Sequence, residues 1–227
     1  MIIGDGLIAT AFVEKYGKDK NIIIFASGVS NSQEINPSNF LREKNLLNKI
    51  IGENPNIKFI YFSTILIGYK NSPYYTHKKE MENLIKKSST NYIIFRVPQL
   101  IGKKGNNNNL INSLVNTLKN KQEFNVYGNV KRAIIDVVDL INLVAYCKDK
   151  ITCATINISG IEKLAVIDLY KKIGYILKMK PIIKIKKGTE NDGWTLLSSA
   201  IFNDYMNDLK IESTGYTEKI IKKYIKN

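Results

Sequence analysis

The chain has 227 residues and a formal net charge of +14 at pH 7. That length suits one domain with a sizeable core and room for a small second lobe. The composition is ordinary for a soluble globular protein, and no run of about 18 apolar residues occurs, so no membrane span is expected.

The opening residues lack a basic segment and carry Asp5 early, which does not fit a signal peptide. Cys147 and Cys153 have neither metal-ligand spacing nor histidine partners nearby, so reduced thiols in a cytoplasmic protein are expected, with no metal. The positive charge raises the question of nucleic acid. Its lysines, however, are spread along the chain, and the densest groups, around Lys184, Lys186, Lys187 and at Lys222 and Lys223, have no zinc spacing or aromatic RNA-binding box beside them. No nucleic-acid partner is expected. A small anionic substrate suits the charge. Only three arginines occur, Arg42, Arg96 and Arg132. Where lysine supplies bulk charge, an arginine points to a place that needs a planar fork.

In chain order, Met1 to Ile3 reads as a very short strand, Gly4-Asp5-Gly6-Leu7-Ile8-Ala9 as a turn, and a helix continues to about Tyr16. Asn21 to Ser27 is a β-branched run of the kind that forms a buried parallel strand. Pro37 to Ile51 reads as a helix, with Phe40, Leu41, Leu46, Leu47, Ile50 and Ile51 as its apolar positions. Ile57 to Thr64 is a strand, Pro73 to Lys86 a helix, and Tyr92 to Val97 a strand. A helix from about Asn109 to Leu118, a short strand at Phe124 to Tyr127, a helix at Val137 to Cys147 and a strand at Ala154 to Ser159 follow. The remainder reads as a helix near Ala165 to Leu177, a strand near Ile182 to Ile185 and helical segments. Trp194 is expected in core or lobe packing, and the Asn106–Asn109 run in a surface loop. Strands alternating with helices imply a doubly wound α/β fold, a parallel sheet covered on both faces.

Three motifs carry chemistry. Gly4-x-Gly6-x-x-Ala9 follows a strand and opens a helix, which allows a tight turn and brings a pyrophosphate to a helix N-terminus. Tyr-x-x-x-Lys occurs in two overlapping registers, Tyr74 with Lys78 and Tyr75 with Lys79. Residues four apart share a helix face, and a cation beside a phenol favours the phenolate, so the pair can move a proton on a sugar or alcohol oxygen. Ser63 and Thr64 supply hydroxyls at the end of the preceding strand.

This ordered set resembles the extended short-chain dehydrogenase/reductase family, in particular its nucleotide-sugar epimerases and reductases. The resemblance runs from Met1 to about Ser159 and weakly beyond. It implies a Rossmann-like domain over residues 1–160, with a substrate loop at 99–132, and a small substrate-binding lobe over 161–227. The family wording Ser-Pro-Tyr-x-x-x-Lys, followed four residues later by Glu, fits Tyr74, Lys78 and Glu82, so this register is preferred over Tyr75 and Lys79. The resemblance implies a catalytic set of Thr64, Tyr74 and Lys78, with Ser63 as the neighbouring hydroxyl and Thr64 favoured. It implies cofactor contacts from Gly4, Gly6, Leu7, Ile8, Ala26, Ser27, Gly28, Lys78 and Val97, with NADP or NAD as the cofactor. Arg96 to Gly102 resembles a segment whose polar fourth residue, here Gln99, lies near the substrate. The stretch Val126-Tyr127-Gly128 with Arg132 and Asp136 resembles one in which an arginine binds the nucleotide diphosphate. A nucleotide-diphosphate sugar is thus the implied substrate and surface-polysaccharide synthesis the implied setting. A homodimer through the helices at Pro37–Ile51 and Pro73–Lys86 is implied as well.

The chain also departs from that pattern. Two βα units expected between the glycine turn and the strand ending Ala26-Ser27-Gly28 are missing, and with them the acidic residue that contacts the adenosine ribose. Asp19, between two lysines and not after a strand, does not replace it. The adenine half of the cofactor site is expected to be small or open. Ile65 and Leu66 follow Thr64 where dehydratases of the family carry an Asp-Glu pair, so dehydration is disfavoured. A weakly held cofactor suits a reductase better than an epimerase, which must keep its cofactor through the cycle.

Overall fold

The computed structural model describes residues 1–103, 109–188 and 198–225. Trp194 and residues 106–108 of the asparagine run lie outside the described residues.

The first half alternates strand and helix: β1 (Ile2–Ile3), α1 (Leu7–Tyr16), β2 (Ile22–Phe25), α2 (Pro37–Glu53), β3 (Lys58–Thr64), α3 (Pro73–Ser88) and β4 (Tyr92–Val97). The second half continues through β5 (Gln99–Ile101), α4 (Leu110–Lys119), β6 (Phe124–Tyr127), β7 (Lys131–Asp136), α5 (Val137–Cys147) and β8 (Ala154–Asn157). It closes with β9 (Lys163–Ala165), α6 (Val166–Leu177), β10 (Ile183–Lys186), α7 (Ala200–Asp208) and α8 (Tyr216–Tyr224).

Five strands form the central sheet in the order β1-β2-β3-β4-β8, every pair parallel. The sequence dictates this. The run Ile22-Ile23-Ile24-Phe25 is buried throughout, as a strand covered on both faces must be. Alternate side chains of β2, β3 and β4 enter two separate cores. Ile23, Phe25, Phe59, Tyr61 and Ile94 pack on one face with Leu47 and Ile51 of α2 and Met81 and Ile85 of α3. Ile24, Ile60, Phe62 and Phe95 pack on the other, in a cluster that runs from Phe12 of α1 through α4, α5 and α6 to Ile220 and Ile221 of α8. The chain is thus a Rossmann-like α/β fold.

Helix starts follow local chemistry. Asn36, Asn109 and Asp136 each accept a backbone N–H at the head of α2, α4 and α5, and proline opens α2 and α3. α1, like α3, α6, α7 and α8, has no side-chain cap: its N-cap is Gly6, and no acidic residue lies in its first turn.

Three strands fall where the sequence reading had none. β5 pairs with β7 in parallel and β7 with β9 antiparallel, making a small second sheet. Each is six residues or fewer and carries polar residues, so no apolar run announces it. Leu41, expected on the apolar face of α2, is 57% exposed. Glu43 takes an inward position instead, fully buried.

Candidate functional site

The glycine turn meets the loop after β2. Gly4 has φ +123°, and a Cβ there would lie 2.5 Å from the Ala26 carbonyl oxygen, so only glycine lets the turn press on Ala26 and Ser27. A Cβ at Gly6 would meet nothing within 4 Å. The N-terminus of α1, which Leu7 and Ile8 begin, therefore faces open space with its N–H groups uncapped by any side chain. Leu7 lies against Gly102, just past β5. Arg42 of α2 forks onto Ser27, donating to the hydroxyl at 3.1 Å and to the carbonyl at 3.0 Å.

The Tyr-Lys helix packs beneath that loop. Tyr74 and Lys78 are both buried, with the Lys78 ammonium 6.0 Å from the Tyr74 ring centroid. A Cβ on Gly28 would fall 2.6 Å from Lys78 Nζ, so the Ser27–Gly28 loop lies directly on the lysine. The sequence-derived residues Gly28, Tyr74 and Lys78 are thus brought together.

The expectation that Lys78 lowers the Tyr74 pKa is corrected by the structure. Burial pushes the Tyr74 phenol above its ordinary value, and Tyr75 and Glu43 add to the effect. The Lys78 ammonium is committed elsewhere, donating to Glu43 Oε1 at 3.1 Å and to the Tyr61 hydroxyl at 3.1 Å.

Glu43 is the centre of this network, and the sequence reading missed it. Its carboxylate also accepts from the Tyr61 hydroxyl at 2.6 Å and from the Val29 amide at 2.6 Å, and it pairs with His77 Nε2 at 2.9 Å. Burial alone would raise its pKa, but Lys78, His77, Tyr61 and Val29 together hold it at about 2. One signal was available: Phe40, Glu43, Leu47 and Ile50 follow helical spacing, which puts a carboxylate on an apolar stripe. His77, the only histidine of the chain, packs against Phe40 with ring centroids 4.7 Å apart and is held by Glu43.

The hydroxyls at the end of β3 differ. Ser63 is buried and its Oγ has no hydrogen-bond partner, while Thr64 Oγ1 accepts from the Leu66 amide at 3.3 Å. Strand alternation puts Ser63 on the face of Tyr61 and Thr64 on the face of Phe62. Val97 ends β4 opposite Thr64, and its carbonyl accepts from the Ile65 amide at 3.1 Å. Arg96 uses its fork within the fold, binding both oxygens of the buried Glu82 at 2.8 and 2.6 Å and so tying β4 to α3. Gln99 starts β5, and Arg132 lies in β7, donating to the Lys131 carbonyl at 2.7 Å. Among the described residues no cluster of three or more His, Cys, Asp or Glu side chains has metal-binding geometry, and no helix is long and apolar enough to cross a membrane.

In one half of this region the open, uncapped start of α1 suits a pyrophosphate, and the Ser27–Gly28 loop lies directly over the buried Lys78. The buried, unpartnered Ser63 hydroxyl lies at the strand end beyond. The other half is bare: β1 pairs only with β2, and among the described residues no strand flanks its outer side.

Comparison with known proteins agrees with this frame. No curated protein sequence matches the chain. Among solved structures, UDP-glucuronic acid 4-epimerase from Bacillus cereus, in complex with UDP-glucuronic acid and NAD, is similar with a TM-score of 0.70 at 13% identity, over 98% of this chain and 88% of that one. dTDP-glucose 4,6-dehydratase from Bacillus anthracis, in complex with NAD, gives 0.68 at 15%, over 95% and 74%. UDP-N-acetylglucosamine 4-epimerase from Methanobrevibacter ruminantium gives 0.67 at 17%, over 95% and 79%. At these identities the likeness shows the fold alone. The model of the NAD dependent epimerase/dehydratase family matches residues 29–158, from just after the Gly28 loop to the end of the central sheet. This chain belongs to the NAD dependent epimerase/dehydratase family.

Proposed function

We propose that the chain is an NAD- or NADP-dependent oxidoreductase of nucleotide-diphosphate sugars, a keto-sugar reductase or an epimerase. The observation that carries this reading is the seating of the Ser27–Gly28 loop on Lys78, one helical turn from the buried Tyr74. Bound there, the nicotinamide cofactor supplies hydride transfer to or from a sugar carbon.

The side chains supply the rest. Tyr74 exchanges the proton on the sugar oxygen, and one of the two hydroxyls at the end of β3, Thr64 or, on the opposite face, Ser63, hydrogen-bonds that oxygen. Lys78 holds the cofactor ribose, with Ala26, Ser27, Gly28 and Val97 lining the approach. Gly4, Gly6, Leu7 and Ile8 receive the pyrophosphate at the head of α1. Gln99 and Arg132 face the substrate, and residues 161–227 complete its pocket. The enzyme works in the cytoplasm, as a homodimer through α2 and α3, in surface-polysaccharide synthesis; light scattering that finds a monomer removes the dimer from this reading.

The test is titration with NADH and NADPH, followed by nucleotide fluorescence and by thermal unfolding. Saturable binding with a rise in Tm is expected, and no response to either cofactor sinks the reading. The bare edge at β1 favours a second one, a relative that binds a nucleotide sugar without redox chemistry. It predicts that UDP-, dTDP-, GDP- or CDP-sugars raise Tm while the dinucleotides do not.

A further inference from the structure

We infer that Glu43 is a positioning residue for Lys78, keeping its ammonium protonated and fixed against the Ser27–Gly28 loop; the functional meaning of this rests on the reading above. A fully buried carboxylate is costly unless its oxygens are satisfied. Those of Glu43 are satisfied from three directions: the loop after β2 through Val29, β3 through Tyr61, and α3 through His77 and Lys78.

The ammonium has three N–H groups. Glu43 Oε1 and the Tyr61 hydroxyl each receive one at 3.1 Å, and Glu43 Oε2 stands farther off at 3.4 Å. A side chain at position 28 would begin 2.6 Å from Nζ, so Gly28 lets the loop lie directly on the cation. The lysine is thereby held in one place by groups that are themselves buried.

Charge makes the case that this is more than packing. Burial drives Lys78 toward its neutral form, and Glu43 is the largest influence opposing that. The other groups facing it are Arg42 on α2, Tyr61 on β3, and Tyr74, His77 and Glu82 on α3. Arg42 is directed onto Ser27, and Glu82 is claimed by Arg96. Glu43 is therefore the carboxylate in contact with the cation. Tyr61 acts with it, since its hydroxyl donates to Glu43 and accepts from Lys78.

The experiment is nuclear magnetic resonance on protein labelled at lysine Cε and Nζ, with the Lys78 signal identified by its loss in Lys78→Met. In Glu43→Gln, which keeps the shape and removes the charge, the Lys78 titration midpoint should fall by one pH unit or more. Glu43→Asp should restore most of that shift. A folded Glu43→Gln protein whose Lys78 titrates as in the wild type overturns the inference. If Glu43→Gln does not fold, the wild type decides. Its Lys78 ammonium protons, locked by Glu43 and Tyr61, should persist at pH 7 where those of exposed lysines exchange away, and their absence overturns the inference equally. Neither readout needs a cofactor. A wild type that binds no NADH or NADPH but shows the Lys78 shift therefore refutes the functional reading and leaves the positioning role standing.

Discussion

The two ends of the nucleotide cleft are built in opposite ways. At the α3 end, side chains from β3 and α3 and an amide from the loop after β2 converge on one buried carboxylate, Glu43 of α2. At the β1 end a two-residue edge strand, two glycines and the bare head of α1 do the work with backbone alone. The first arrangement couples the site to folding, because removing any partner strands a buried charge. The second leaves them independent at Gly6, where a side chain would meet nothing within 4 Å, though not at Gly4, which is pressed on Ala26. Changes at the α3 end should therefore register in stability, and a change at Gly6 mainly in binding.

The largest effect expected is from Glu43→Ala. It leaves Lys78 buried without its counter-ion and His77, Tyr61 and the Val29 amide without their acceptor. Breaking such a pair from one side costs about 3–5 kcal/mol. Urea unfolding measures it, and a loss under about 1 kcal/mol would mean that the network is not the keystone of this end.

Acid should reveal the same group by a different route. Glu43 is held at about 2, below an ordinary 4.5. A lowered carboxylate contributes stability that is complete above its unfolded pKa and is lost as pH falls toward the folded one. The Tm gap between wild type and Glu43→Gln should stay constant above about pH 5 and narrow as pH falls from 4.5 toward 2. Taking the difference between the two proteins removes other carboxylates, such as Glu218, whose pKa is also lowered. A gap independent of pH would contradict the ionised state of Glu43.

How much of this was legible in the sequence follows the same division. The five main strands and the helices between them announce themselves through apolar runs such as Ile22–Phe25 and through caps such as Asn36 before Pro37. The Tyr74–Lys78 register and the glycine turn were legible as motifs, because spacing along one helix or one turn is a local property. Glu43 was not, because its partners come from positions 29, 61, 77 and 78, which only the folded chain brings together. Arg96 shows a related limit. A scarce arginine pointed to a place that needs a planar fork, and Arg96 uses its fork on Glu82, a partner fourteen residues away that spacing alone does not name. The small strands β5, β7 and β9 are fixed by pairing with one another, which a short run of sequence does not encode.

An intermediate effect is expected where the two ends meet. Gly28→Ala puts a methyl group 2.6 Å from Lys78 Nζ and 2.9 Å from Glu43 Oε1. Either the loop or the lysine must move, at a cost of about 1–3 kcal/mol. Nucleotide binding should weaken in the same variant, since the proposed cofactor site lies against this loop. Thermal unfolding and fluorescence titration on one sample check both, and a fall in binding at unchanged Tm would show that the loop moves independently of the buried network.

The smallest stability effect belongs to Gly6→Ala, and it tests the comparison most directly. A Cβ at Gly6 meets nothing within 4 Å, and the residue sits at φ −74°, which alanine adopts freely. Alanine restricts the unfolded chain but is a poorer N-cap than glycine, so the two effects oppose each other and stability should change by no more than about 1 kcal/mol in either direction. The methyl group nevertheless occupies the space through which a pyrophosphate would approach the uncapped N–H groups of α1. Dinucleotide affinity should fall by about tenfold, or about 1.4 kcal/mol, while stability in the absence of nucleotide moves by less than about 1 kcal/mol. Equal affinity in Gly6→Ala and wild type would move the phosphates away from α1. A fall in affinity together with a stability loss above about 2 kcal/mol, more than the exchange of a glycine N-cap for alanine can cost, would deny the independence of the β1 end.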